Sequence, residues 1–359
     1  MASLVTGATG FIGKHLVERL LARDGDVHVL VRASSRPKLD ALVARWGHAD
    51  RVKAVVGDLA QRRLGVGDAD LEALRGVDHL FHLAAVYDMT ADEQRNRVAN
   101  VDGTRNAVEL ANALGAGHFH HVSSVAAAGM YRGTFTEAMF DENQPLEHPY
   151  HATKFASEKI AREETAVPWR VYRPAVVVGD SRSGEMDKID GPYYFFGVIR
   201  AAAGIPSWIP LVGLELGDTN IVPVDFVADA IDHLAHADGL DGQAFHLCNP
   251  EPMPSIEVLN AFARVAGAPR FVASLGGRPA AWAVTRGTAA AARAPVVGGP
   301  VCRLLDAWGI PVEVIAHLGF TARFDTSATR RALEGSGIAV PPLERYADRL
   351  WTYWDRNLR

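Results

Sequence analysis

The sequence predicts an α/β fold in which helices cover both faces of a parallel sheet. Along the first half of the chain, short apolar runs of strand length alternate with longer segments whose apolar residues recur at helical spacing. The first such run, residues 3–6, is followed directly by a glycine-rich turn and the start of a helix. This alternation is typical of βαβ units and therefore of a doubly wound sheet.

The composition is that of a globular protein. The 359 residues, 48 % hydrophobic and 22 % charged, suffice for one large domain or for a core with a smaller lobe. The net charge of −5 arises from interspersed acids and bases and gives no indication of nucleic-acid binding. The two cysteines, Cys248 and Cys302, need not pair, so we expect a reducing, cytoplasmic location.

Neither a signal peptide nor a membrane-spanning helix is expected. Met1 is followed almost at once by the first predicted strand, which argues against a leader. The most apolar stretch, residues 191–214, is interrupted by Arg200, Pro206 and Pro210, which argues against a helix that crosses a membrane.

Three glycines at the first strand–helix junction, Gly7, Gly10 and Gly13, have a spacing suited to a dinucleotide. Gly7 permits the tight turn, Gly10 lets a pyrophosphate approach the backbone, and Gly13 lets the helix pack closely on the strand. The helix N-terminus offers free N–H groups and a partial positive charge to the phosphates. The sequence therefore predicts a Rossmann-type dinucleotide site. The other residues of this segment that are predicted to contact the dinucleotide are Thr9, Phe11 and Ile12.

The end of the second predicted strand indicates which dinucleotide binds. At this position an acidic residue hydrogen-bonds the 2′-hydroxyl of NAD, whereas an arginine suits the 2′-phosphate of NADP. Here the strand ends in Arg32, and Ser35 and Arg36 extend a cationic, hydroxyl-bearing loop. We therefore expect NADPH as the cofactor, with an ordinary solvated arginine loop as the alternative.

Two other strand ends are predicted to border the cofactor. Asp58 and Leu59 follow the third strand, where Asp58 is placed either for the adenine amino group or to cap the next turn. Ala84 and Ala85 follow the fourth strand, and their small size leaves room for a ligand at the carboxyl edge of the sheet.

The fifth predicted strand contains three histidines, His118, His120 and His121. On a strand, His118 and His120 share one face and His121 lies on the other. No carboxylate or cysteine stands beside them at ligand spacing, so we predict no metal site.

A candidate catalytic set follows that strand. Tyr150 and Lys154 are four residues apart on a helix predicted to begin at Pro149, so they share one face. A nearby ammonium lowers the pKa of a phenol towards neutrality, where it can act as an acid. Ser124 ends the fifth strand at the edge where the tyrosine is expected, and Ser123, on the opposite face, is the competing candidate. A surface tyrosine–lysine pair without a catalytic role is the alternative.

These residues, in this order, resemble the extended short-chain dehydrogenase/reductase family. The matching motifs extend over nearly the whole chain: 6–13, 58–59, 82–85, Asn100, 123–124, Tyr150 with Lys154, 172–179 and 220–225. The resemblance implies that Tyr150 donates the proton, that Lys154 holds the nicotinamide ribose and that Ser124 polarises the substrate carbonyl. It also implies that Pro174 borders the nicotinamide and that Asn100 supports the lysine.

A narrower resemblance is to the amino-terminal reductase half of bacterial fatty acyl-CoA reductases, which make fatty aldehydes and alcohols with NADPH. It is carried by residues 79–89, 118–124 and, most distinctively, 183–196. Residues 346–356 resemble the point where that half meets a second reductase domain. The chain is therefore either a natural single-domain relative or half of a longer enzyme. A second reductase domain or a second copy of the chain is the candidate partner.

We expect a dinucleotide-binding core over 1–178, to which 218–248 returns, and a mainly helical substrate lobe made of 179–217 and 249–359. A long acyl chain needs an apolar wall, and aromatic residues are predicted to supply it: Tyr87, Tyr193, Tyr194, Phe196 and Trp208. Packing of the lobe is the alternative role for any of them. Residues 275–320 form a predicted lid, and an exposed apolar rim would touch membranes peripherally.

The sequence thus predicts NADPH-dependent reduction of a fatty acyl-CoA thioester to the aldehyde, of a fatty aldehyde to the alcohol, or of both. The alternatives are a reductase of another carbonyl compound and a nucleotide-sugar epimerase on the same scaffold. The single arginine and many aromatics of residues 189–216 disfavour sugar. A non-catalytic dinucleotide sensor would not need the serine, tyrosine and lysine together. Neither cysteine is at an activated position, which disfavours a covalent route.

Overall fold

The computed structural model describes residues 1–85, 97–187, 189, 191–213, 217–273 and 322–359. The strands are β1 Ser3–Thr6, β2 Val27–Val31, β3 Val52–Val56, β4 His79–His82, β5 His118–Val122, β6 Gly133–Phe135, β7 Trp169–Pro174, β8 Val176–Val178, β9 Leu211–Gly213, β10 Asp218–Thr219, β11 Ile221–Pro223, β12 Gln243–Leu247, β13 Met253–Pro254, β14 Phe271–Ala273 and β15 Ala322–Phe324. The helices are α1 Phe11–Leu21, α2 Arg36–Trp46, α3 Asp68–Ala73, α4 Gly103–Leu114, α5 Pro149–Glu163, α6 Phe196–Ala202, α7 Val224–His236, α8 Ser255–Ala266, α9 Ser327–Ala332 and α10 Ala347–Asn357.

The chain divides into two compact units. Unit 1 consists of Met1–Ala175, Val224–Pro250 and Ala322–Ala339. Unit 2 consists of Val176–Pro223, Glu251–Thr321 and Val340–Arg359.

Unit 1 is built on a parallel seven-stranded sheet in the order β3-β2-β1-β4-β5-β7-β12. Apart from β3 at the edge, the strands are buried along most of their length, as expected for a parallel sheet, although β4 and β5 contain histidines. The strand order reverses between β1 and β4, which is the switch point where ligands bind in such sheets. The predicted doubly wound α/β fold is therefore confirmed, with β2 and β5 at the expected residues.

The core of unit 1 contains fully buried side chains from the sheet and from the helices packed on it. Leu4 and Leu80 of the sheet lie in one cluster with Val108 and Leu110 of α4. Helices α4 and α5 pack against each other, and α1 packs against α7. A π turn, Val98–Asp102, directly precedes α4.

Residues 322–339 belong to unit 1, whereas we expected all of 249–359 to lie in the lobe. Residues 322–339 join unit 1 because they pair with segments that lie far away in the sequence. Strand β15 pairs with β6, and the buried carboxylate of Glu137 accepts hydrogen bonds from the N–H groups of Ala328 (2.6 Å), Thr329 (3.0 Å) and His246 (2.9 Å). Residues 218–223, expected in the core, group with unit 2 through the pairing of β11 with β8.

Unit 2 contains helices α6, α8 and α10 packed together with three two-stranded ladders, β8–β11, β9–β14 and β10–β13. Its interior is aromatic, because Phe196 lies against Phe262, Trp351 and Trp354 at centroid distances of 4.6, 5.0 and 5.3 Å. In the described part of the chain, no helix is both long and apolar enough to cross a membrane.

Candidate functional site

The glycine turn has the shape that a dinucleotide requires. Gly7 has a φ of +73°, and a Cβ there would lie 2.7 Å from the backbone nitrogen of Ala84. A Cβ on Gly13 would overlap the carbonyl oxygen of Gly7, so the helix packs closely on the turn. Helix α1 begins at Phe11 without a side-chain cap. Its first N–H groups therefore have no intrahelical partner and suit a pyrophosphate.

The other predicted cofactor residues lie around this turn at the ends of the strands. Arg32 is exposed, and Arg36 forms an exposed ion pair with Asp40 at 2.9 Å. Asp58 caps its own turn, because its Oδ1 accepts from Ala60 N at 2.9 Å. The remaining predicted cofactor residues differ in exposure: Thr9, Phe11, Ile12, Ser35, Leu59 and Ala84 are half-buried, Ala85 is exposed, and Pro174 is buried at the end of β7.

The two serines after β5 have different environments. Ser123 is buried and donates a hydrogen bond to Glu158 at 2.8 Å. Ser124 is half-buried, and its Oγ accepts from Ala126 N at 3.2 Å as it caps a 3₁₀ turn. That contact uses a lone pair and leaves the hydroxyl proton for another acceptor. Ser124 therefore remains our candidate for the substrate oxygen.

Helix α5 carries Tyr150 and Lys154 in its first two turns. Pro149 occupies the first helical position, and the ring of His148 accepts from Tyr150 N at 3.1 Å, so the helix start is well defined. The helix packs against the 3₁₀ turn that Ser124 caps and against the π turn that contains Asn100. These packings bring the elements that carry the four predicted catalytic residues together at the carboxyl end of β5.

Lys154 is buried, with 5 % of its surface exposed, and its Nζ donates to the carbonyl oxygen of Val122 at 3.4 Å. The ammonium thus lies at the end of β5, close to Ser124 in the chain. Burial lowers the pKa of Lys154 to about 8, because the charged form loses hydration.

The pH dependence of reduction should reflect this lysine. We expect kcat/KM to fall above about pH 8, as Lys154 loses the charge with which the predicted mechanism stabilises the phenolate of Tyr150. The measurement is a pH profile of kcat/KM for an aldehyde. In the Lys154→Met variant the residual activity should lack this alkaline limb. A limb that persists in the variant would assign it to another group.

A buried ion pair fixes the middle of α5 to the sheet. Glu158, fully buried, accepts from Nη2 of Arg173 in β7 at 2.6 Å and from Nε of Arg162 at 2.9 Å. Burial by itself would raise the pKa of Glu158, but the positive charges of Arg173 and Arg162 outweigh it and lower the pKa to about 2. The carboxylate therefore stays charged and holds the helix in place.

Asn100 lies within the π turn and is 2 % exposed. Its Nδ2 donates to the hydroxyl of Thr153 at 3.5 Å, and Thr153 donates to the carbonyl oxygen of Tyr150 at 3.1 Å. Asn100 thus contacts the residue next to Lys154. Single π turns inside helices are frequent at functional sites.

The histidines of β5 form stacked contacts. His118 and His120 share a face, with centroids 6.0 Å apart, and His121 stacks on His82 on the other face at 5.8 Å. Among the residues that the structure describes, no group of three or more histidine, cysteine or acidic side chains is arranged to hold a metal ion.

The predicted substrate residues are dispersed within unit 2. Tyr193 and Phe196 are 4 % and 0 % exposed, so their role here is packing and they do not form an open wall. The Tyr193 hydroxyl accepts from Gly179 N at 2.6 Å. Tyr194 is half-buried and Trp208 is 80 % exposed.

Several predicted features cannot be located. Tyr87, Cys302 and the predicted lid, residues 275–320, lie outside the described residues. Cys248 is buried, and burial raises the pKa of its thiol, which does not suit a nucleophile.

Three residues that matter for the site were not identified from the sequence as candidates: Glu158, His82 and Thr104. Glu158 lies one turn after Lys154, and a charged residue there looks like part of a solvated helix face. His82 and Thr104 lie within or beside motifs of the resemblance, at the end of a buried strand and at a helix start. The signal that could have identified them is a polar residue in a segment predicted to be buried, because such a residue needs a hydrogen-bond partner.

Comparison with known proteins decides the family. Residues 5–231 match the NAD-binding family model described as "Male sterility protein". The chain belongs to this family. The resemblance to extended short-chain dehydrogenases/reductases is thereby confirmed.

Curated relatives of this family member are much longer than the chain. It is 33 % identical over 267 residues to one of the subunits of linear gramicidin synthase from Brevibacillus parabrevis, a match that covers 69 % of the chain and 5 % of the relative. It is 30 % identical over 282 residues to aldehyde reductase lnaA of Aspergillus flavus, covering 71 % and 26 %. The chain spans about a quarter or less of the length of these relatives.

Solved structures share the fold. The terminal R domain of the myxalamid PKS-NRPS biosynthetic pathway is 24 % identical, with a TM-score of 0.78, and the match covers 100 % of this chain and 91 % of that one. UDP-glucuronic acid 4-epimerase from Bacillus cereus, solved in complex with NAD, is 16 % identical, with a TM-score of 0.66 and coverage of 99 % and 97 %. These likenesses support the fold assignment of the described residues.

Proposed function

We propose that the chain uses NADPH to reduce an acyl thioester to the aldehyde and can reduce the aldehyde further to the alcohol. The observation that carries this proposal is the convergence of the elements bearing Ser124, Tyr150 and Lys154 at the end of β5, with the lysine ammonium buried there. Relatives named as an aldehyde reductase and as part of a gramicidin synthase support it.

A fatty acyl group on the pantetheine thiol of coenzyme A is the proposed substrate, as the resemblance to fatty acyl-CoA reductases suggests. An aminoacyl or peptidyl group on the pantetheine of a carrier domain is the second candidate. The gramicidin synthase relative and the solved thiolation-reductase di-domain favour it. The two substrates share the reacting group, a thioester of pantetheine.

The residues of the chain supply the donors that the reaction needs. Bound NADPH supplies the hydride. Ser124 donates a hydrogen bond to the carbonyl oxygen, on which negative charge develops. Tyr150 gives that oxygen a proton, and the charge of Lys154 stabilises the phenolate left behind. In the resulting hemithioacetal the C–S bond breaks, the hydroxyl proton passes to the sulfur, and the thiol and the aldehyde are released. Reduction to the aldehyde consumes one hydride and one proton, and reduction of the aldehyde to the alcohol consumes one more of each.

NADPH specificity is proposed to depend on Arg32. The Arg32→Ala variant should bind NADPH about 10- to 100-fold more weakly, the loss expected for one hydrogen-bonded charge, while NADH affinity stays unchanged. Isothermal titration with each dinucleotide measures this. Lys38→Ala, which removes a neighbouring exposed cation, is the matched control. Equal losses for both dinucleotides would contradict the assignment.

The function is tested by mixing the purified chain with NADPH and, separately, palmitoyl-CoA, palmitoyl-pantetheine or palmitaldehyde. For both thioesters we expect loss of nicotinamide absorbance with release of thiol: one thiol for each NADPH oxidised if reduction stops at the aldehyde, and one thiol for every two NADPH if it continues to the alcohol. Oxidation with the aldehyde alone would limit the chain to the second stage. If the chain binds NADPH but oxidises it with none of the three, the thioester proposal is wrong.

A further inference from the structure

A continuous series of buried hydrogen bonds crosses the switch point of the sheet. At its centre is His82, the last residue of β4, which is 2 % exposed. One ring nitrogen, Nδ1, lies 2.9 Å from the hydroxyl of Thr6, the last residue before the glycine turn. The other, Nε2, lies 3.2 Å from the hydroxyl of Thr104 in the first turn of α4.

The carbonyl acceptor at the Thr104 end fixes the direction of the bonds to His82 when its ring is neutral. The N–H of Ala84 can only donate, and it reaches the Thr6 hydroxyl oxygen at 3.2 Å. The Thr104 hydroxyl donates to the carbonyl oxygen of Asn100 at 2.7 Å. Since its single proton is used there, Thr104 accepts from Nε2–H of His82. In a neutral ring Nδ1 is then an acceptor, so the Thr6 hydroxyl donates to Nδ1 while it accepts from Ala84 N. The bonding pattern therefore assigns one tautomer, a neutral ring with its proton on Nε2.

The surroundings keep the ring neutral. Burial, and secondarily the positive charge of Lys154, lower the pKa of His82 to about 3. A protonated ring would donate from Nδ1 to the Thr6 oxygen, so the proton of the Thr6 hydroxyl would lose its acceptor on His82.

Beyond Asn100 the series reaches the catalytic helix. The Asn100 side chain donates to Thr153, at the long distance of 3.5 Å, and Thr153 donates to the carbonyl oxygen of Tyr150 at 3.1 Å. Asn100, in the π turn, thus makes two contacts: its carbonyl oxygen accepts from Thr104, and its side-chain amide donates to Thr153. The glycine turn and the start of α5 are thus joined through side chains.

We propose that His82 is a positioning residue that ties the π turn of Asn100 to the glycine turn and so holds Tyr150 and Lys154 in register with the bound dinucleotide. This inference rests on the proposed function, because its main effect is on turnover. Small misplacements of reacting groups cost rate much more than binding. Disruption should therefore lower kcat and leave dinucleotide affinity nearly intact.

The sharpest test changes Thr104, which never contacts substrate or cofactor in this scheme. Thr104→Val keeps the shape but removes the hydroxyl, and it should lower kcat by about 10- to 100-fold with an unchanged Kd for NADPH. Thr104→Ser keeps the hydroxyl and should retain kcat. His79→Gln, which alters a buried histidine on the same strand outside the series, is a second control. A Val variant with full kcat, or a Ser variant as slow as Val, would overturn the proposal.

Two readouts are independent of activity. Nitrogen NMR of the histidines should place the His82 proton on Nε2 in the parent protein and show mixed tautomers in Thr104→Val. Amide hydrogen exchange of residues 98–104 and 150–154 should be faster in the Val variant than in the Ser variant. If the parent reduces no substrate, the proposed function fails, while this exchange difference still supports the positioning role. Equal exchange in both variants, or a parent proton on Nδ1, refutes it.

Discussion

Replacing Tyr150 with phenylalanine is expected to lower kcat for carbonyl reduction by about 10²- to 10⁴-fold, the usual contribution of a positioned general acid. The phenol is the predicted proton donor, and it lies four residues before Lys154 on a helix whose start is capped by His148. Removing one oxygen from a side chain that is 8 % exposed leaves the packing of α5 in place. Steady-state kinetics with an aldehyde and NADPH measure the loss.

The matched control is Tyr172→Phe, which deletes a buried hydroxyl bonded to His120 at 3.0 Å, away from the predicted donor. That variant should lose roughly 1 kcal/mol of stability, the worth of one hydrogen bond, and keep its kcat. NADPH affinity should be unchanged in both variants. Turnover by Tyr150→Phe at the parental rate would remove Tyr150 from the mechanism.

The second large effect is on stability. Glu158→Gln should lower the free energy of unfolding by about 3–5 kcal/mol, because it leaves Arg173 as a buried charge without its carboxylate. Arg173 and Glu158 are 1 % and 0 % exposed, so water cannot replace the lost partner. Urea unfolding followed by circular dichroism measures the difference.

Glu163→Gln on the same helix is the control. Its partner Lys159 is 3.9 Å away and half of that pair's surface is in solvent, so the loss should be below about 1 kcal/mol. The pH dependence gives a second check. Because the pKa of Glu158 is lowered to about 2, its contribution is complete above about pH 4.5 and disappears as the pH falls through 2. Equal losses of unfolding free energy in Glu158→Gln and Glu163→Gln would mean that the buried Glu158–Arg173 pair does not provide the stability assigned to it.

Much of the site follows from local signals. The strand, glycine turn and helix at the start of the chain are specified by periodicity and by positions where a Cβ does not fit. Alternation along β5 separates Ser123 from Ser124, and the structure gives them the different environments that this implies. Helical spacing places Tyr150 and Lys154 on one face.

Other features depend on tertiary contacts that no local pattern encodes. An aromatic cluster looks the same in a sequence whether it lines a substrate channel or fills a core, and Tyr193 with Phe196 does the latter. In the sequence Glu158 resembles a surface residue, because its partner Arg173 lies on a later strand and only the folded structure brings the two together. The return of residues 322–339 to unit 1 rests on a pairing of three residues with a distant strand.

The Glu137 contacts also constrain how the protein can be made. Its carboxylate accepts from His246 and Thr329, which are synthesised 109 and 192 residues later in the chain. A ribosome adding about 5–20 residues per second needs about 10–40 s to supply the second set. Unit 1 therefore cannot acquire its complete set of contacts while the first half of the chain emerges. A gene truncated at residue 231, where the family match ends, would also omit β12 and these donors to Glu137.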